Sequence, residues 1–251
     1  MNLFLTLAYL FFLGSVSGWV LELLFRKFFS GSNPEHRWIN PGFCTGPYLP
    51  IYGFGLCVLY LLALLGDSTG LDEGARGRLG LFLGMALSMT AIEYLAGLLL
   101  LKWAKLRLWD YSKLWGNVQG LICPLFSFFW ALLGAGYYFL IHPRILQALA
   151  WLSENLAFSF VIGLFFGVFL VDLAASAHLA ARLKAFAEEN GVVVRYEALK
   201  AQIRSAQERA SQRAHFFFAF RTERPIAEHL KEAREALERG REQLRNRSGK
   251  E

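Results

Sequence analysis

Five stretches of this chain are long and apolar enough to cross a lipid bilayer, and nothing else in the sequence limits its fold so tightly. They cover residues 3–25, 48–65, 79–101, 121–141 and 156–179. As a helix, about 20 apolar residues span the ~30 Å of hydrocarbon. Helices are favoured there because they satisfy their own backbone groups where water is absent. A chain that is 55% hydrophobic, with 23 Phe and 7 Trp, has the bilayer as its natural solvent. The first stretch lacks a basic n-region and a small-residue cleavage site, so it is expected to be a retained helix and not a signal peptide.

Basic residues are distributed unevenly between the connecting segments. Arg26, Lys27 and Arg37 follow the first stretch, and Lys102, Lys105, Arg107 and Lys113 follow the third. The opposite side has Arg76, Arg78 and Arg144. By the positive-inside rule this predicts an outside N-terminus, five spans and a cytoplasmic C-terminus in a cell (inner or plasma) membrane. Residues 181–251 hold sixteen basic and eleven acidic side chains, which is +5 of the formal +6. That excess suits anionic headgroups. The acids interleaved along the tail, and the lack of any recognition motif, argue against nucleic acid.

The membrane part contains a pattern that occurs twice. GWVLELLFRKF leads through RWINPGF to CTGPYLPIYGFG, and AIEYLAGLLLLKW leads through RLWDYSKLWGNVQG to LICPLFSFFW. Glu22 precedes Trp38 by sixteen residues, as Glu93 precedes Trp109, and Asn40 precedes Pro47 by seven, as Asn117 precedes Pro124. Two parallel helix–loop–helix repeats are therefore expected, an arrangement that recurs in transporters. Pro47 and Pro50, like Pro124, are placed to open the returning helices, where a missing N–H is harmless. The segment from Gly42 to Gly55 has two readings. It is either a tight loop, or irregular backbone dipping into the bilayer under cover of protein or a water-filled cavity.

Glu22, Glu93 and Asp172 lie within the apolar stretches. With a rise of 1.5 Å per residue, Glu22 is ~6 Å from Arg26, Glu93 ~14 Å from Lys102 and Asp172 ~15 Å from Arg182. A carboxylate at such depth costs roughly 2.5–3.5 kcal/mol on insertion scales, so it normally faces a partner or a cavity. Glu22 reads equally as an ion pair with Arg26, one turn on. Glu93 and Asp172 read either as protonated helix glue or, converging with Glu22 and with Asn40, Asn117 and Asp110, as the lining of a cavity for a cation or small polar solute. Asp110 also reads as a loop or helix N-cap. Gly14-x3-Gly18, Gly80-x3-Gly84 and Gly163-x3-Gly167 are read as helix-packing positions. Cys44, Cys57 and Cys123 have no CxxC spacing and are expected to be reduced. No metal-ligand cluster or cofactor signature is visible, and no enzyme is expected.

The expected architecture is thus all-α and polytopic. A bundle covers residues 1–180, with repeats at about 3–66 and 79–141 and a fifth helix at about 156–180. A helical cytoplasmic tail covers 181–251. Asn190-Gly191 marks a helix stop. Helices over 196–214 and from Pro225, with HFFFAF between them, are read in the tail, and a thin apolar stripe over 226–246 suits a partner contact.

GWVLEL, RWINPGFCTGPYLPIYG and EYLAGLLLLKWAKLRLWDYSKLWGNVQGLICPLFSFFW together resemble the ABC-transporter type IV (CmpB) family over roughly residues 8–135. The resemblance implies a bacterial polytopic inner-membrane protein. Its matching positions are Glu22, Trp38, Asn40, Gly42, Gly46, Pro47, Pro50, Gly53, Glu93, Trp109, Asp110, Asn117 and Gly120. No GxxxxGK[ST] stretch is present, so any ATPase would be a separate partner. The expected function is a permease-like transport component in contact with the lipid bilayer, as a homo-oligomer or with a further membrane subunit. A scaffold or sensor acting through the tail is the alternative, and a membrane-embedded enzyme built on Glu22, Glu93 and Asp110 is the third.

Overall fold

The computed structural model describes residues 2–30, 33, 36–70, 74–196 and 198–200. The tail elements expected beyond residue 200 lie outside the described residues. Among the described residues, six α-helices make up five apolar spans. Helix α1 is Leu3–Phe28, α2 Pro50–Thr69, α3 Gly74–Ala104, α4 Pro124–Gly136, α5 His142–Glu154 and α6 Ser159–Asn190. The protein is therefore an all-α membrane protein.

Local chemistry sets the helix ends. Asn2 caps α1 by accepting from the Leu5 amide at 2.8 Å, which satisfies one of the orphan donors of the first turn. Helices α2 and α4 open on Pro50 and Pro124. Pro47 stays in the loop, so the Asn–Pro spacing of seven links positions that are not structurally equivalent. From Asn40 the helix-opening proline lies ten residues on, against seven from Asn117. Helix α6 ends at Gly191 in the left-handed region, φ 63°, as the Asn190-Gly191 signal predicts. It continues about three turns past residue 180, the expected end of the span, to that stop.

The fourth span is also longer than its apolar run. A π-helical turn, Tyr137–Ile141, carries the chain from α4 into α5. Pro143 lies two residues past its end; it has no N–H to donate, and its ring would clash with the Phe139 carbonyl in a regular helix. Widening one turn relieves that clash. Ile145, Leu149 and Leu152 then form the buried stripe of α5.

Helices α1 and α2 pack closely because glycines let their backbones approach. A Cβ on Gly14 would lie 2.7 Å from the Tyr52 carbonyl, one on Gly18 2.2 Å from Tyr52 Cγ, and one on Gly53 2.3 Å from Ser15 Oγ. Gly80, Gly84, Gly163 and Gly167 have nothing within 4 Å of an added Cβ. The packing expectation thus holds on α1 and fails within this chain on α3 and α6. A phenylalanine cluster seats α6 against α1, with Phe11–Phe166 ring centroids 5.6 Å apart and Phe12–Phe165 4.8 Å apart.

The loops after α1, α3 and α6 meet at one end of the bundle. Strand β1 (Leu106–Arg107) pairs in parallel with β2 (Val194–Arg195). The Tyr196 hydroxyl donates to the Phe43 carbonyl at 3.3 Å, and Lys200 Nζ donates to the Asn40 and Gly42 carbonyls at 3.0 and 2.7 Å.

Candidate intramembrane carboxylate site

The segment between α1 and α2 turns back into the bundle. The Leu49 amide donates to the Ser15 carbonyl at 2.9 Å. Ser15 lies eleven residues before Arg26, a depth of about 16 Å along α1. Residues 40–49 are irregular backbone that reaches this level at Leu49, and α2 starts only at Pro50. Of the segment from Gly42 to Gly55, residues 42–49 thus have the irregular backbone of the dipping reading, whereas residues 50–55 are helical.

Irregular backbone inside a membrane needs polar partners, and Asp172 of α6 supplies them. Its carboxylate accepts from the Thr45 amide at 3.2 Å, the Gly46 amide at 2.8 Å, the Tyr48 hydroxyl at 2.5 Å and the Ser176 hydroxyl at 3.4 Å. Asn40 holds the outer end of the loop. Its Oδ1 accepts from Trp19 Nε1 at 2.6 Å, and its Nδ2 donates to the Thr45 carbonyl at 2.8 Å. Gly42 adopts φ 84°, a conformation that favours glycine.

A second polar chain crosses between the two hairpins. Glu22 accepts from Arg26 Nε at 2.9 Å and from the Tyr52 hydroxyl at 3.1 Å. The Tyr52 ring packs on Trp130, centroids 5.5 Å apart. Trp130 Nε1 donates to Glu93 at 2.9 Å, and the Tyr111 hydroxyl donates to the other Glu93 oxygen at 3.0 Å. Tyr111 reaches Glu93 because its ring stacks on Phe126 of α4, centroids 4.4 Å apart. Glu93 is 4% exposed.

The three acids thus fall into two groups. Glu22 and Glu93 share one chain of side chains. Asp172 binds Thr45, Gly46, Tyr48 and Ser176, none of which belongs to that chain, so the expected convergence of all three does not occur. Of the two readings for Glu22, the Arg26 pair is present, and the stripe through Gly18 also turns it to Tyr52.

The remaining candidates stabilise loops. Asp110 accepts from the Ser112 amide at 3.1 Å and from the Ser112 hydroxyl, and it pairs with Arg107 at 2.9 Å and Arg195 at 3.1 Å. The Ser112 hydroxyl, then the Ser112 amide and Arg107, hold its carboxyl down at about 2 against partial burial. Asn117 Nδ2 donates to the Ser112 and Leu114 carbonyls, and its Oδ1 accepts from the Gly120 amide at 3.0 Å. Trp109 Nε1 donates to the Leu121 carbonyl at 2.8 Å. Lys27 sits over the Trp38 ring, 3.6 Å from its centroid. All three cysteines are free thiols. Among the described residues no group of three or more His, Cys, Asp or Glu side chains is arranged to hold a metal.

Tyr48, Tyr52 and Trp130 carry no sequence signal for these roles, because aromatic residues are common throughout the apolar runs. Tyr111 is legible only as part of WDYS.

Five helices long and apolar enough to cross a membrane, with one carboxylate buried among them, define a polytopic membrane protein. The family described as Putative ABC-transporter type IV matches residues 9–177, which is most of the chain and all of the bundle but its two ends; the protein belongs to that family. No curated protein and no solved structure matches it.

Proposed function

We propose that this protein is the membrane-embedded part of a transport system and that Glu93 is its cation-binding residue. One observation carries the proposal. Glu22 has Arg26 as counter-charge, whereas Glu93 is buried with two neutral donors, Tyr111 and Trp130. A buried carboxylate without a basic partner is strongly disfavoured as an anion, so a proton or another small cation completes the site. Intramembrane acids of this kind mark ion and proton routes.

In this reading the end holding Arg26, Lys27, Lys102 and Lys105 faces the cytoplasm, following the positive-inside rule. The sequence has no GxxxxGK[ST] stretch, so ATP hydrolysis would fall to a separate subunit meeting these basic loops.

A hydrophobic carbodiimide, which reacts with protonated intramembrane carboxyls, tests the site without any partner subunit. Mass spectrometry of the protein in lipid nanodiscs should find Glu93 modified, more slowly as pH rises or as the bound cation is added from a panel of Na+, K+ and Mg2+. Modification indifferent to pH and to all three ions would remove the proposal.

A scaffold or sensor role is favoured by a different observation, the fastening of Lys200 and Tyr196 to the re-entrant loop. Truncation after Asn190 separates the two: transport through Glu93 survives it, and signalling through the tail does not.

A further inference from the structure

At the end of the bundle remote from the re-entrant loop, His142 is 6% exposed. It follows the π-helical turn at the start of α5. Its Nδ1 lies 2.8 Å from the Tyr137 hydroxyl, while its Nε2 is buried with no hydrogen-bond partner. Asp67, near the end of α2, places Oδ2 4.0 Å from that Nε2. Counted from Pro50 and Pro124, where the two helices begin, Asp67 and His142 are at nearly equal heights, about 26 and 27 Å.

Among the described residues, the other groups facing the imidazole are three tyrosine rings. Tyr60 of α2 has its centroid 6.0 Å away, and Tyr137 and Tyr138 of the π-helical turn are at 5.5 and 6.3 Å. Arg144 turns to the Leu140 carbonyl instead. The described residues around it are therefore one carboxylate and several electron-rich rings, which attract a cation.

A neutral imidazole has one donor and one acceptor nitrogen, and in either tautomer Nε2 has nothing within hydrogen-bond distance. Protonation makes both nitrogens donors, one to the Tyr137 oxygen and one aimed at Asp67. A charge-assisted N–H···O contact is about 2.7–2.9 Å long. We propose that His142 is a proton-binding site whose charged form is held by Asp67 and the tyrosine rings, and that proton binding draws the end of α2 about 1 Å towards α5. The site thereby joins two spans that no loop connects directly, and it is independent of what Glu93 binds.

The test is the titration of the His142 ring by nitrogen-15 NMR on full-length protein in nanodiscs. The His142→Asn variant assigns the signal. Should that variant fail to fold, replacing His36, His178, His215 and His229 with Gln leaves His142 as the one imidazole. An opposite charge at this distance typically moves a titration by 1–3 units, so Asp67→Asn should weaken proton binding at His142 about tenfold or more. Tyr60→Phe keeps the ring and should change it less than threefold. An Asp67→Asn titration that coincides with that of the unmodified protein overturns the proposal, as does a His142 ring that stays neutral down to pH 4.

Discussion

Asp172→Asn should loosen the re-entrant loop without unfolding the bundle. In the native protein one carboxylate oxygen serves Thr45 and Ser176, and the other serves Gly46 and Tyr48. The amide keeps one acceptor oxygen, which can still serve Gly46 and Tyr48 as a neutral partner. Its NH2 then faces the Thr45 amide, donor against donor. Hydrogen bonds to a charged group contribute about 1.5–3 kcal/mol and neutral ones about 0.5–1.5. Two weakened bonds and one stranded N–H therefore amount to about 3 kcal/mol. If that loss falls on local opening of the loop, the open population rises on the order of a hundredfold, since about 1.4 kcal/mol is a factor of ten. Cys44, on the loop and 3% exposed, reports the opening. In a Cys57→Ser, Cys123→Ala background its maleimide labelling in nanodiscs should accelerate by that order. The charge of Asp172 also acts on the Cys44 thiol. Tyr48→Phe, which leaves the charge in place, should therefore give a smaller acceleration of the same kind. Labelling within threefold of the native rate in Asp172→Asn would refute the role given to this carboxylate.

Gly18→Ala should destabilise the protein by about 1–3 kcal/mol in detergent thermal unfolding, the usual range for overpacking, because its Cβ would meet the Tyr52 side chain at 2.2 Å. Gly163→Ala and Gly167→Ala, with nothing within 4 Å, should stay within about 0.5 kcal/mol of the native protein; a larger loss there would reveal a packing partner. Asp110 ionises at about 2 in the fold, against an ordinary 3.8. A depressed carboxyl stabilises the folded state fully above its unfolded value, and the contribution is lost as pH falls through the folded one. The contacts of Asp110 with Arg107 and Arg195 should thus weaken between about pH 4 and pH 2, and Ser112→Ala should move that loss to higher pH, as monitored by amide exchange in residues 106–112.

The spans were legible because hydropathy is a property of consecutive residues. So were the proline starts at Pro50 and Pro124 and the stop at Gly191, since each depends on backbone chemistry local to the position. Helix α5 was missed although its stripe of Ile145, Leu149 and Leu152 is readable, because Pro143 resembles a terminator and the π-helical turn absorbs it. The Glu22–Arg26 pair is an i,i+4 contact and could be anticipated; the Tyr52–Trp130 contact that links Glu22 to Glu93 joins different hairpins and could not.

The sequence alone determined that this is a membrane protein with five stretches long and apolar enough to cross the bilayer, and which carboxylates lie inside those stretches. Only the tertiary structure decided which partners those carboxylates take: a loop more than 120 residues away in sequence for Asp172, an arginine for Glu22, and two neutral donors for Glu93. Depth follows from counting residues along one helix. A partner depends on the rotation and offset of a second helix, which are set by close approaches such as Gly18 against Tyr52 and leave no periodic trace in the chain.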